Sequence, residues 1–193
     1  MNICLYGASS PALDCVYFDA AEEFGRLLAQ HGHTLVYGGG AQGVMGAAAR
    51  GVSDGGGKII GIAPTFFQVD GILFDRCTKF IPTETMAERK QLMMAHADAF
   101  VMAPGGFGTL EEFFEILTLK QLGRDGRAIV LLNTLGAHNA MISMLKQLAE
   151  RRFMSKNCLT LYSVAETPRQ ALEQLAAYIP QSGSIRRLED YNK

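Results

Sequence analysis

The sequence lacks the paired cysteines, clustered histidines and long apolar runs by which many functions declare themselves. Its four cysteines (Cys4, Cys15, Cys77 and Cys158) are scattered with no CxxC pair, which predicts neither a disulfide framework nor a zinc site. His31, His33, His96 and His138 show no metal-ligand spacing. No serine sits in a nucleophile elbow and no Cys/His pairing is visible. The apolar runs are too short to span a bilayer. Net charge is −1 over 193 residues, which argues against non-specific binding to a nucleic-acid polymer or a membrane. Asn2-Ile3-Cys4-Leu5-Tyr6 runs straight into Gly7, without the basic and long apolar regions of a signal peptide. These absences predict a cytoplasmic protein with no metal site.

What is present is an ordinary globular balance, 48% apolar and 19% charged, in a chain whose length favours one domain with a sizeable core. That domain is expected over residues 1–180, with a polar, loosely ordered tail over 181–193. Continuous apolar runs predict strands at 3–6, 34–37, 58–62, 77–81, 99–103, 128–132 and 159–163. Between them lie helical patterns. Ser10 with Pro11 is expected to open the first helix, which runs to about Gln30 before Gly32. Small residues from Val44 to Val52 form the second. Later helices are expected from Thr85 to His96, after Gly108 to about Gly123, over 138–152, and over 167–179 behind Thr167-Pro168. Residues 64–76 read as irregular or weakly helical.

Strands alternating with helices predict an α/β fold. The expected architecture is a single doubly wound, Rossmann-like domain with a mostly parallel sheet and helices on both faces. Its ligand crevice lies at the carboxyl ends of the strands. Three glycine-bearing turns should meet there: Gly7–Ser10, Gly38–Gly43 and Pro104–Thr109.

The most informative stretch is Pro104-Gly105-Gly106-Phe107-Gly108-Thr109-Leu110-Glu111-Glu112. It joins a strand to a helix start, where glycines admit a ligand close to the backbone and unpaired N–H groups suit a phosphate. Glu112 sits about one turn into the helix. Thr109-x-x-Glu112 also fits a capping box, but a cap needs no such run of glycines, whereas anion capture does. Glu111 points in another helical direction, toward Glu115, solvent or a sugar hydroxyl. Gly38-x-Gly40-x-x-Gly43 matches the dinucleotide fingerprint in form. It follows the second strand, however, and the next strand ends Ile62-Ala63-Pro64 with no acid, which argues against NAD. In Met86-Ala87-Glu88-Arg89-Lys90, Glu88 completes a capping box with Thr85. Arg89 and Lys90 form either a solvated face or a crevice cluster. In the crevice Arg89 would pair with Glu112 or hold a phosphate.

These residues resemble the LOG (Lonely Guy) family. Residues 104–112 match its PGGxGTxxE motif, and Gly38-Gly39-Gly40-Ala41-Gln42-Gly43-Val44-Met45-Gly46 matches its GGGxxGxMG segment. Gly7-Ala8-Ser9-Ser10 looks like its first-strand turn. The resemblance spans about residues 2–180. It implies a cytokinin riboside 5′-monophosphate phosphoribohydrolase, which splits a nucleotide into free base and ribose 5-phosphate without metal or organic cofactor. It also implies a homodimer. The implied catalytic residues are Arg89 and Glu112. The implied substrate contacts are Ser9, Gly39, Gly40, Lys90, Gly105, Gly106, Phe107, Gly108, Thr109, Leu110, Glu111 and Thr118. The family is often labelled lysine decarboxylase, but no lysine here is identifiable as a pyridoxal-phosphate anchor. The sequence departs from the family pattern in three places: its MHERK histidine is Ala87, a usual Trp is Leu119, and its LGxHxKP segment reads Leu122-Gly123-Arg124-Asp125-Gly126-Arg127-Ala128. They lie near what the family uses around the base and the subunit contact. They keep open an AMP or general nucleotide nucleosidase; a nucleotide- or cofactor-binding carrier of the same fold is the other alternative, and the presence of both Arg89 and Glu112 speaks against it.

Overall fold

The structure is a computed structural model and describes residues 1–67 and 72–180. The polar tail expected over 181–193 lies outside the described residues, as does part of the 64–76 stretch. The strands are β1 (Asn2–Tyr6), β2 (Thr34–Tyr37), β3 (Lys58–Pro64), β4 (Lys79–Thr83), β5 (Ala99–Met102), β6 (Ala128–Leu132) and β7 (Ser163–Ala165). The helices are α1 (Cys15–Gln30), α2 (Gly43–Asp54), α3 (Met86–His96), α4 (Phe107–Gln121), α5 (Asn139–Glu150) and α6 (Pro168–Ala176). The strands form one sheet in the order β4-β3-β2-β1-β5-β6-β7, and every pair is parallel.

β5 and β6 are apolar throughout because both of their faces are covered. Ile3 and Leu5 of β1 join Leu35, Val101 and Val130 under α1, α2 and α6. Cys4 and Tyr6 alternate to the other face, with Val36, Phe100, Met102 and Ile129, under α3 and α4. The period of two along each strand thus feeds two separate cores. The chain winds outward from β1 to β4, then returns so that β5 lies on the other side of β1. That reversal opens the crevice at the carboxyl ends of β1 and β5.

Among the boundaries that differ from the sequence expectation, three have a clear local cause. Ser10 does not cap α1; its Oγ accepts a hydrogen bond from the Ala12 N–H within a turn, and the helix begins at Cys15. The run Leu159–Ser163 is not the last strand. Ser155 accepts a hydrogen bond from the Asn157 N–H and starts a 3-10 turn over Lys156–Thr160, which displaces β7 to Ser163–Ala165. Apolar content alone does not separate a buried turn from a strand. Thr109 is not the cap of α4, because Gly106 holds that position. Half of the Thr85–Glu88 box forms as read: Thr85 Oγ1 accepts from the Glu88 N–H at 3.1 Å, whereas the Glu88 carboxylate accepts from the Glu84 N–H at 2.8 Å, one residue before the cap.

The small residues of α2 serve close helix packing. A β-carbon on Gly25 of α1 would overlap the Ala48 carbonyl oxygen and lie 2.8 Å from the Val52 nitrogen. Gly51 of α2 faces the Glu22 carbonyl in the same way. Alanine in a helix gains about 1 kcal/mol over glycine from propensity alone. Overpacking costs about 1–3 kcal/mol, and here the obstacle is backbone that cannot rotate aside. Gly25→Ala is therefore expected to lower the urea-unfolding free energy by up to about 2 kcal/mol. A stabilised variant would show that α1 and α2 separate freely.

Candidate active site

Two helices reach the crevice from the α3–α4 side, and each delivers one member of a buried ion pair. The Thr85 cap fixes the start of α3, and Arg89 lies in its first turn. Glu112 lies in the second turn of α4. Arg89 Nη1 donates to Glu112 Oε1 at 2.6 Å. Their residue exposures are only 6% and 8%, so the pair is held almost out of water. Arg89 Nε has no hydrogen-bond partner within the described residues. The guanidinium passes directly against Gly38, where any β-carbon would collide with Nη2. The glycine after β2 is thus required by an arginine fifty-one residues on in sequence.

Burial raises the Glu112 carboxyl above its ordinary value, and the adjacent Arg89 offsets this only in part. Beneath it on β1, burial pushes the Cys4 thiol up to about 12 and raises the Tyr6 phenol as well. Both therefore stay neutral around pH 7. Glu112 is the ionisable acid of the floor, in a setting that favours proton uptake relative to an exposed carboxylate.

The three turns converge as expected. The Ala8 N–H donates to the Pro104 carbonyl at 3.0 Å, and the Met45 N–H to the Ala8 carbonyl at 3.2 Å. Between them opens a cavity of about 650 Å³. Ser9, Gly40, Arg89, Gly106, Phe107, Gly108, Thr109, Glu111 and Glu112 all line it. The α-carbons of Gly106 and Gly108 face open space, and they sit where the first turn of α4 leaves N–H groups without intrahelical partners. Gly105 serves differently, since a β-carbon there would strike Thr109. It gives Thr109 room to be buried and still reach the cavity.

Other expected contacts are not on the cavity wall. Gly39 turns away with φ +78° toward Phe80 and Ala63. Leu110 packs into the core beneath α4. Thr118 is exposed further along α4. Lys90 bonds to Glu111 and lies 3.0 Å from Glu115 Oε2.

The wall facing the glycine turn is apolar and was not read from the sequence. It consists of Met45, Phe67, Ile72, Leu73 and Met86. Ile72 and Leu73 arrive by pairing with that turn. The Ala41 N–H donates to the Ile72 carbonyl at 2.8 Å, and the Phe74 N–H to the Gly39 carbonyl at 2.9 Å. An isolated antiparallel bridge joins Gly40 to Leu73. No local pattern signals such a contact, because its two partners lie more than thirty residues apart. Ser10 and Gln42 add polar groups to the lining. Among the described residues no group of three or more His, Cys, Asp or Glu is placed to hold a metal ion. No described helix is long and apolar enough to cross a membrane.

Comparison with known proteins places this geometry in context. A family described as possible lysine decarboxylase matches residues 45–175. Cytokinin riboside 5′-monophosphate phosphoribohydrolase LOG4 of Arabidopsis thaliana is 34% identical over 184 residues, covering 95% of this chain and 86% of the relative. The enzyme of that name designated LOG from Oryza sativa subsp. japonica is 35% identical over 180 residues, covering 93% and 74%. Among solved structures, the molybdenum cofactor carrier protein of Chlamydomonas reinhardtii superposes with a TM-score of 0.70 at 25% identity, covering 92% of this chain and 98% of that one. The molybdenum cofactor binding protein of Rippkaea orientalis gives 0.70 at 21% identity over 91% and 95%, a likeness of fold. With relatives matched along nearly its whole length, the chain belongs to the LOG family.

Proposed function

We propose that this protein hydrolyses the N-glycosidic bond of a nucleoside 5′-monophosphate, an N6-modified adenosine monophosphate in the cytokinin reading, to free base and ribose 5-phosphate. The observation that carries the proposal is the buried Arg89–Glu112 pair beside the open N-terminus of α4. The N–H groups of the first turn of α4, with Gly106, Gly108 and the Thr109 hydroxyl, bind the phosphate. Ser9 and Gly40 approach the phosphate or ribose from the facing turns. The apolar wall of Phe67, Ile72, Leu73 and Met86 receives the base.

As the C1′–N bond lengthens, the ribose takes on oxocarbenium character. The Glu112 carboxylate stabilises that positive charge and accepts a proton from the water that adds to C1′. The base leaves with the bonding electron pair and is protonated from solvent, to which Glu112 later returns its own proton. Arg89 holds Glu112 in place and counters the cost of its ionisation. The lysine decarboxylase label has no counterpart in this arrangement, which supplies an acid and an anion cradle rather than an amine anchor.

A carrier role is the second reading, favoured by the likeness to the Chlamydomonas molybdenum cofactor carrier. It predicts tight ligand binding with no base released on long incubation. A broader nucleosidase predicts comparable release from AMP and from isopentenyladenosine monophosphate. The cytoplasmic location rests on composition, including four cysteines that are all free thiols. A homodimer is proposed on the apolar girth of α4, where Phe114, Leu117 and Leu119 are only half-buried beside the fully packed Phe113 and Ile116.

Three results test this reading. Glu112→Ala is expected to lower kcat for base release by about 10²–10⁴-fold with far less effect on nucleotide affinity; unchanged turnover removes Glu112 from the chemistry. The acid limb of kcat/KM is expected above the ordinary carboxylate range. Activity requires ionised Glu112, whose pKa burial raises, so activity is lost on acidification at a higher pH than for an exposed Glu. A limb at or below the ordinary value contradicts this. Sedimentation at low protein concentration is expected to show dimer; monomer alone defeats that assignment.

A further inference from the structure

Lys90 does something other than line the cavity. It follows Arg89 on α3 and so points about 100° around the same helix, toward the rim rather than the floor. Its ammonium bonds to the Glu111 carboxylate and lies 3.0 Å from Glu115 Oε2. Those two acids stand one turn apart on one face of α4. Glu111 lines the cavity, and it lies next to residues that hold the phosphate cradle. A free carboxylate at that wall would repel a phosphorylated ligand. The lysine side chain is only 18% exposed, against 56% for Glu111, so the cation is sheltered while the anion faces the cavity and solvent.

Resting on the nucleotide reading above, we propose that Lys90 is a positioning residue that neutralises Glu111, so that a phosphorylated substrate meets no free carboxylate at the cavity wall. The same arrangement shields Glu112. The charged groups felt by Glu112 are Arg89 and Lys90 on α3, which favour its ionised form, and Glu111 on α4, which opposes it. Cys4 and Tyr6 of β1 face it as neutral groups. Glu115, the second partner of Lys90, sits one turn further along α4. Lys90 thus offsets Glu111 twice, toward the substrate and toward the catalytic acid.

The test compares Lys90→Met with Lys90→Met/Glu111→Gln. Lys90→Met is expected to raise KM for AMP by about 3–10-fold at low ionic strength, and less in added salt, with kcat at optimal pH little changed. Adding Glu111→Gln restores KM toward the parent value. A KM that stays raised in the double variant overturns the proposal, because Lys90 then contacts the substrate itself. The second readout needs no substrate: the Glu112 carboxyl is titrated by carbon-13 NMR. Its pKa rises in Lys90→Met, which removes a nearby cation, and falls back in the double variant, which removes the nearby anion. An unmoved Glu112 titration in Lys90→Met also overturns the proposal. A parent protein that releases no base from any nucleotide monophosphate contradicts the hydrolase reading, and the NMR titration alone then decides the role of Lys90.

Discussion

The hydrogen bond between Arg89 and Glu112 is the constraint on which the site depends. A buried ion pair is weak support for stability, because desolvating two charges costs several kcal/mol that their attraction barely returns. This pair has a further burden. The Glu112 carboxyl is raised by burial despite its arginine. A carboxyl raised in the folded state gives stability that is full below the unfolded pKa and is lost as pH rises through the folded value. Around pH 7 the ionised acid therefore weighs against the fold. Such a group persists when its chemistry requires it, and here it lies at the floor of a large cavity, beside the open N-terminus of α4.

Much of the surrounding structure serves to hold that pair. The Thr85 cap fixes the start of α3 four residues before Arg89. Gly38 leaves the space through which the guanidinium passes. The sheet reversal between β4 and β5 brings α3 and α4 to one face, so that charges twenty-three positions apart in sequence meet at 2.6 Å. Lys90, beside Arg89, keeps the neighbouring acids of α4 from adding to the load. The close α1–α2 contact at Gly25 and Gly51 belongs to the opposite face and holds the second layer against the sheet.

The sheet was legible because each strand is a compact apolar run flanked by turn residues, and β2 and β6 fall at the bounds read from sequence. The convergence of the three glycine turns was legible from the rule that parallel sheets bind at their carboxyl ends. The pairing of Arg89 with Glu112 was legible only as one of two options, since a helical Arg-Lys pair usually faces water. The apolar wall was not legible. Ile72 and Leu73 reach the cavity by pairing with Gly39–Ala41, a non-local contact with no periodic signature. The space left at Gly38 for Arg89 and at Gly105 for Thr109 was not legible either, because a glycine motif does not say whether its space is left for a ligand, a threonine or an arginine.

The most direct test replaces both charges of the pair with apolar side chains of similar bulk, as Arg89→Met/Glu112→Leu. Urea unfolding and base release are then measured on the same preparation. The account predicts a folded variant as stable as the parent, or more stable by about 1–4 kcal/mol, with base release abolished. A double variant that unfolds several kcal/mol more easily, or that still releases base at the parent rate, would contradict it.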